Sequence, residues 1–490
     1  MRWDFEKMRL LDKYRTLSLP MKAAIWFIIV NFFTKGISFI TVPIFSNVLS
    51  TEEYGKVSIY LTYQGVLINF ATLEMYSGAY IRGILRYKDG VSFFTKSEQL
   101  LSTLITCLFF IMSYPFMSWL IKKAQIDETI YVLMYMYFLF FPAYQCWVGQ
   151  KRFDYKYKPV VITAIIYTLI SILIPLIAVF VIESTASVRI MFMLLPEVLF
   201  CIPFFLRNCI VKDFFKKKSA IFEQWKFLIF FQAPSVVHAF SYILLSSADR
   251  IMIGDMVGNS EVGIYSVAAT IAIAITILCI SANQVLKPWR YQRMESKDYA
   301  SIKSKSNALL VVFGLAILAW ILVAPDIMSL FFRDDYYSAI WAIPPISMSV
   351  FFVFLYSMFV DVEEYFYKTK YTMYATTISA IANIVLNYFG IKIWGYIACA
   401  YTTLFCYILL AVLHLYWSNK AAMKNGICIR QIFNVTFICT LSIILVCVEL
   451  MLTATYNCSV VRYILLVVCV FAGILKFKHI NSLMQNIKTK

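Results

Sequence analysis

The sequence predicts an all-α protein that sits in a bilayer, built from fourteen transmembrane helices. Three observations predict it. Of 490 residues, 61% are hydrophobic and only 14% are charged, against about 25% charged in a soluble domain. Apolar runs of about twenty residues, the length that crosses a hydrocarbon core, recur from end to end. Lys and Arg gather in alternate short loops between those runs, as they do when loop charge sets membrane orientation.

The expected spans are 22–46, 57–82, 100–121, 129–149, 159–182, 188–206, 226–252, 262–286, 307–332, 339–360, 373–390, 394–417, 431–452 and 460–476. The first follows a charged arm (Arg2, Asp4, Glu6, Lys7, Arg9, Asp12, Lys13, Arg15) with no apolar signal-peptide core. That first helix is expected to act as its own uncleaved signal. The eleventh and twelfth are divided only by a short turn at Gly390–Gly395. A net charge of +17 would suit nucleic acid in a soluble chain. Here the basic residues occupy membrane loops, which argues against nucleic acid as a partner. Twelve cysteines include no CxxC pair, and Cys107, Cys279, Cys439 and Cys469 lie inside apolar runs. They act there as small apolar side chains, not as disulfide or zinc ligands.

With the N-terminus placed inside, 35 of the 44 Lys and Arg fall on the inner side and 8 on the outer. Lys35 alone remains within a helix. A miscounted helix would scramble this alternation, so both termini are expected to be cytoplasmic. Reporter fusions after Lys122, Arg333 and Arg462 should read as outside, and those after Lys156, Lys297 and Lys424 as inside. Reversal at two of these sites would refute the fourteen-span map.

One stretch is used twice. Shifted by 208 positions, Glu53-Tyr54-Gly55-Lys56-Val57-Ser58 falls on Glu261-Val262-Gly263-Ile264-Tyr265-Ser266, with Glu, Gly and Ser coinciding. Six spans separate the copies, so both enter the membrane the same way up. That is a parallel repeat about an axis along the membrane normal. The expected organisation is an N-terminal arm (1–21), a first six-helix bundle (22–206), a basic linker (207–225) and a second bundle (226–417). Two further helices and a cytoplasmic tail follow (418–490).

These residues also carry a family resemblance. Lys35-Gly36-Ile37-Ser38-Phe39, Pro43-Ile44-Phe45 and Leu49-Ser50-Thr51-Glu52-Glu53-Tyr54-Gly55 resemble the first hairpin of Wzx-type O-antigen and capsule flippases. Asp249-Arg250-Ile251-Met252-Ile253-Gly254, with Glu261–Ser266 after it, resembles their seventh helix. The superfamily also holds multidrug antiporters and lipid II flippases. The resemblance implies movement of an undecaprenyl-diphosphate-linked oligosaccharide from the inner to the outer leaflet of a bacterial cytoplasmic membrane by alternating access. It also implies membrane lipids, a polysaccharide polymerase and a chain-length regulator as partners. No cofactor or metal is implied.

Intramembrane ionisable groups are costly and usually face a wet cavity or one another. Lys35, Glu74 and Glu197 stand out as charges well inside the expected spans. Lys35 lies about 20 Å along the helix from Lys22, and Glu74 about 12 Å from Arg82. Lys35 and Glu74 either clamp the first two helices as an ion pair or line a cavity, where Lys35 would meet the diphosphate. Glu197, beside Pro196, and His238, after Pro234, are candidates for ion coupling, as is Glu74; for His238 the alternative is a structural hydrogen bond. Arg250 either pairs locally with Asp249 or meets the phosphates on exit. Lys287 and Arg290, flanking Pro288, either anchor the inner end of the eighth span or collect an anionic head group.

No GxxxxGK[ST] loop, HExxH or CxxC occurs, so a transporter and not an enzyme is expected. Its energy would come from an ion gradient or from the cargo's own gradient. Two alternatives stay open. A cation-coupled multidrug antiporter would favour an acidic mid-membrane site where Lys35 stands. A glycan polymerase or ligase would need a large outer loop, which the spacing of the spans does not leave.

Overall fold

A computed structural model describes residues 16, 18–210, 214–368 and 370–488; the side chains of Lys35, Ser38, Gln284 and Val285, and those from residue 476 on, lie outside the description. The chain is all-α, with no strand among the described residues. In order the main helices are α1 (Leu19–Val48), α2 (Thr51–Thr72), α3 (Gly78–Arg86), α4 (Val91–Ser113), α5 (Met117–Ala124), α6 (Glu128–Phe153), α7 (Tyr157–Val181) and α8 (Ala186–Cys209). Then come α9 (Lys218–Met256), α10 (Asn259–Ile273), α11 (Thr276–Glu295), α12 (Tyr299–Phe331), α13 (Ile343–Tyr365), α14 (Lys370–Trp394) and α15 (Ala398–Met423). The short α16 (Ile429–Ile432) precedes α17 (Val435–Ala454) and α18 (Ser459–Lys488).

Among the described residues, twelve helical stretches are long and apolar enough to cross a membrane, and the apolar part of α18, Ser459–Leu475, is shorter. The expected count of fourteen is not reached on that measure. One reason is the second span, 57–82, which is not one helix. The chain leaves α2 at Thr72, Leu73 and Glu74 adopt left-handed φ of 49° and 45°, and α3 restarts at Gly78. Left-handed backbone is unfavourable for residues with a Cβ, so the surroundings must hold it. Thr72 and Ser77 bond the Glu74 backbone, and Gln232, buried on α9, meets the restart: its Oε1 accepts from Ala79 N at 3.3 Å and its Nε2 donates to Ser77 Oγ at 3.1 Å. The expected turn at Gly390–Gly395 is also displaced. Gly390 lies within α14, and the chain turns at Gly395, whose φ of 77° suits a residue without a side chain.

Several helices start at a side-chain cap. Asp127 accepts from Ile130 N at 2.8 Å ahead of α6, Asp298 from Ser301 N at 3.2 Å ahead of α12, and Asn434 from Phe437 N at 3.3 Å ahead of α17. The Ser301 contacts also hold the Asp298 carboxyl below its ordinary range.

The outer surface is apolar. Ile111, Phe180, Val181, Leu330 and Val467 are each more than 60% exposed, which suits hydrocarbon and not water. Buried polar groups lie inside instead, including Glu98, Glu197, Arg290, Asp361, Glu363 and His414.

The chain forms two compact units. The first comprises residues 1–41 and 63–236, and the second 42–62 and 237–490. In the first, α6 packs on α8 and α4, and α7 on α8. One apolar core gathers Met75, Tyr80, Phe94, Leu101, Cys146 and Leu228, and a second gathers Tyr144, Val148, Val160 and Cys201. In the second unit α13 is the central helix. It packs most extensively on α15 and also touches α10, α11, α12 and α17. It is apolar nearly all round, as a helix enclosed by others must be.

The two copies of the repeated stretch meet in this second unit. Thr51 Oγ1 lies 2.6 Å from Ser260 Oγ. A Cβ on Gly55 would overlap the Asn259 carbonyl, and one on Gly263 would overlap the Thr51 carbonyl. Glycine at both positions lets the two backbones come into direct contact.

Candidate functional site

The sequence candidates divide between the units. In the first, Lys35 lies on α1 with its side chain outside the described residues, so its pairing with Glu74 lies there too. Glu74 itself is half-buried and sits in the left-handed break, not on a continuous helix. Thr72 Oγ1 accepts from its backbone N at 3.2 Å, and its carbonyl accepts from Ser77 Oγ at 2.7 Å. Glu197 is buried on α8 among aromatic rings. Tyr167 and Ser171 of α7 face its carboxylate, and Tyr167 in turn lies 3.3 Å from the Tyr137 hydroxyl.

In the second unit, Arg250 turns onto its neighbours. Its Nη1 donates to Ser246 O at 3.0 Å and to Asp249 Oδ1 at 3.3 Å. Asp249 lines a cavity of about 80 Å³ with Tyr242, Ser246, Tyr265, Thr403 and Tyr407. Close by in sequence, α14 and α15 are joined by buried amides: Asn383 Nδ2 donates to Thr403 Oγ1 at 3.3 Å, and Asn387 accepts from Thr402.

Lys287 and Arg290 are both ion-paired. Both reach across from α11 to α13. Arg290 is only 2% exposed. Its Nε donates to Asp361 Oδ2 at 2.6 Å, and its Nη2 donates to Asn283 Oδ1 at 3.2 Å. Lys287 pairs with Glu364 and lies 3.8 Å from Asp361 Oδ1. Tyr291 adds an O–H to Glu364 at 3.0 Å. Arg290 is thus a buried charge with a buried partner, whereas Lys287 and Glu364 pair with their side chains 40% and 34% exposed.

His238 is half-buried on α9, with Nδ1 2.9 Å from Thr376 Oγ1. Thr376 and Thr372 share a face of α14, and Thr372 Oγ1 donates to Glu363 Oε2 at 3.2 Å. The structure therefore gathers Lys287, Arg290 and His238 around the C-terminal end of α13, while Arg250 pairs with Asp249, which lines a separate cavity.

Sequence reasoning misses several buried or half-buried ionisable groups. Asp361, Glu363 and Glu364 fall beyond the tenth span, expected to stop at residue 360, whereas α13 continues to Tyr365. Glu98, 0% exposed and accepting from Cys146 Sγ at 3.0 Å, precedes the third span, because α4 begins nine residues before the expected start. Glu449 and His414 lie inside expected spans, and their position alone is signal enough to find them. Among the described residues no cluster of His, Cys, Asp and Glu is arranged to hold a metal.

Known proteins agree with this architecture. The chain is 14% identical to the lipid II flippase MurJ in an inward closed conformation, with a TM-score of 0.64 over 95% of this chain and 100% of that one. It is 13% identical to an inward-facing multidrug resistance MATE family transporter, with a TM-score of 0.61 over 78% of this chain and 93% of that one. At this identity the likeness establishes the fold. In sequence it is 22% identical to an Lsg locus protein of Haemophilus influenzae over 314 residues, 61% of this chain and 74% of that protein. A family described as polysaccharide biosynthesis protein matches residues 21–294, more than half of the chain. The chain is a multi-pass membrane protein, and it belongs to the polysaccharide biosynthesis protein family.

Proposed function

We propose that the protein is a flippase, not an enzyme, that carries a polyprenyl-diphosphate-linked oligosaccharide from the inner to the outer leaflet of a bacterial cytoplasmic membrane. The observation that carries the reading is the joint one: membership of a polysaccharide family on a fold that matches a lipid II flippase over nearly the whole chain. The reading includes two six-helix repeats, two further helices, both termini in the cytoplasm, and use of the product by a polymerase under a chain-length regulator. Lys35, near mid-bilayer on α1, is the residue proposed to hold the diphosphate. A lysine on the lipid face there would cost about 3 kcal/mol, and its compact charge on a flexible stem suits a phosphate met in changing orientations.

The test is export of surface polysaccharide in a flippase-null strain, normalised to protein in the membrane. The wild-type chain should restore export, Lys35→Arg should keep most of it, and Lys35→Ala should lose it at unchanged abundance. If Lys35 only clamps Glu74, Lys35→Ala should instead lower abundance, and adding Glu74→Ala should restore it. Normal export by Lys35→Ala would remove Lys35 from the mechanism. The MATE-like fold favours one second reading, multidrug antiport. Drug resistance conferred without export would select it.

A further inference from the structure

The C-terminal end of α13 carries more negative charge than its fixed cations balance. Asp361, Glu363 and Glu364 lie within one turn of helix. Arg290 holds Asp361 and Lys287 holds Glu364. Glu363, 0% exposed, has neither cation; its Oε1 lies 2.9 Å from Nδ1 of His414 on α15, also 0% exposed. With His414 neutral the five ionised groups sum to one negative charge, and a buried charge left unbalanced is strongly unfavourable. One proton on the pair brings the cluster to neutrality.

The geometry assigns that proton a place. Nδ1 is fixed against the Glu363 carboxylate, whose other oxygen is taken by Thr372. The imidazole face stacks on Tyr356, with centroids 5.3 Å apart and planes 16° from parallel. The far nitrogen, Nε2, is buried and meets no hydrogen-bond partner among the described residues. A proton can come and go there without breaking the bond that orients the ring. We propose that Glu363 and His414 form a single-proton exchange site in the second unit, holding the proton between them while α13 and α15 are packed and exchanging it with solvent when water reaches Nε2.

Charged and titratable groups also stand on the neighbouring helices. On α9, His238 is tied to Thr376. On α11, Lys287, Arg290 and Tyr291 face Asp361 and Glu364. On α12, Lys303 reaches the Arg430 carbonyl and Lys305 lies over the Trp289 ring. On α17, Glu449 is buried without a side-chain partner of its own among the described residues. The site does not rest on the flippase reading, and its test needs no cargo.

The chain holds only three histidines, His238, His414 and His479. The full-length variant H238Q/H479Q in lipid nanodiscs, grown with isotope-labelled histidine, therefore reports His414 alone by NMR. Between about pH 5 and about pH 9 the ring should pass between its doubly and singly protonated forms in a one-proton step. In H238Q/H479Q/E363Q the midpoint should move by about one pH unit or more. If E363Q does not fold, E363D takes its place, with the carboxylate drawn back from Nδ1. A ring held in one neutral tautomer across the whole range would overturn the proposal, as would a midpoint unmoved when Glu363 is changed.

Discussion

Replacing Arg290 with Ala should remove most of the folded protein from the membrane. Arg290 is buried, and it supplies the two close bonds to the Asp361 carboxylate. Truncation leaves that carboxylate inside the second unit with only Lys287, 3.8 Å from its other oxygen, in partial compensation. Removing one partner of a buried pair costs about 3 to 5 kcal/mol, and the residual lysine places this case near the lower figure. A loss of about 3 kcal/mol lowers the folded fraction relative to the unfolded by about a hundredfold. Arg290→Lys should lose less, since it keeps the charge but not the planar fork. The double change Arg290→Met with Asp361→Leu should recover stability, because it removes both charges together. Thermal unfolding in detergent and membrane abundance give the answer. An Arg290→Ala protein as stable as wild type would mean that the pair carries no structural weight.

A comparable loss is expected at the contact of the two repeat copies. Gly55→Val and Gly263→Val each drive a side chain into a main-chain carbonyl, of Asn259 and Thr51 respectively. A flexible side chain could move aside, but a helix backbone cannot move without moving the helix. The cost should match or exceed the roughly 3 kcal/mol at the upper end of ordinary overpacking. The contact can be read directly. Thr51 and Ser260 are 2.6 Å apart at their hydroxyls, so Thr51→Cys with Ser260→Cys should cross-link on mild oxidation. The same pair in the Gly55→Val background should not. Efficient cross-linking in both backgrounds would show that the glycines do not set the approach.

How far the sequence reaches depends on the scale of the signal. Hydrophobic run length is a local property, so membrane class and nearly all the helices are legible in the residue pattern alone. The break at Leu73–Ser77 is not. Its bonds come partly from Thr72 and Ser77 nearby and partly from Gln232, more than 150 residues away. Ending a span at its first charged residue is sound for a chain facing lipid. It fails at Glu98 and at Asp361–Glu364, where the helix runs on into the protein interior.

The sequence by itself determined the solvent and the helical class, because each follows from the residue pattern along one segment. Only the tertiary structure decided which charges are spent on one another. Lys287 and Arg290 read as loop cations until α13 brings Asp361 and Glu364 against them, and Glu363 reads as a helix-end carboxylate until α15 sets His414 beside it. The physical reason is the steep distance dependence of charge pairing in a medium of low dielectric constant. A few ångströms between helices decide whether a carboxylate is neutralised, protonated or free, and separation along the chain does not report that distance.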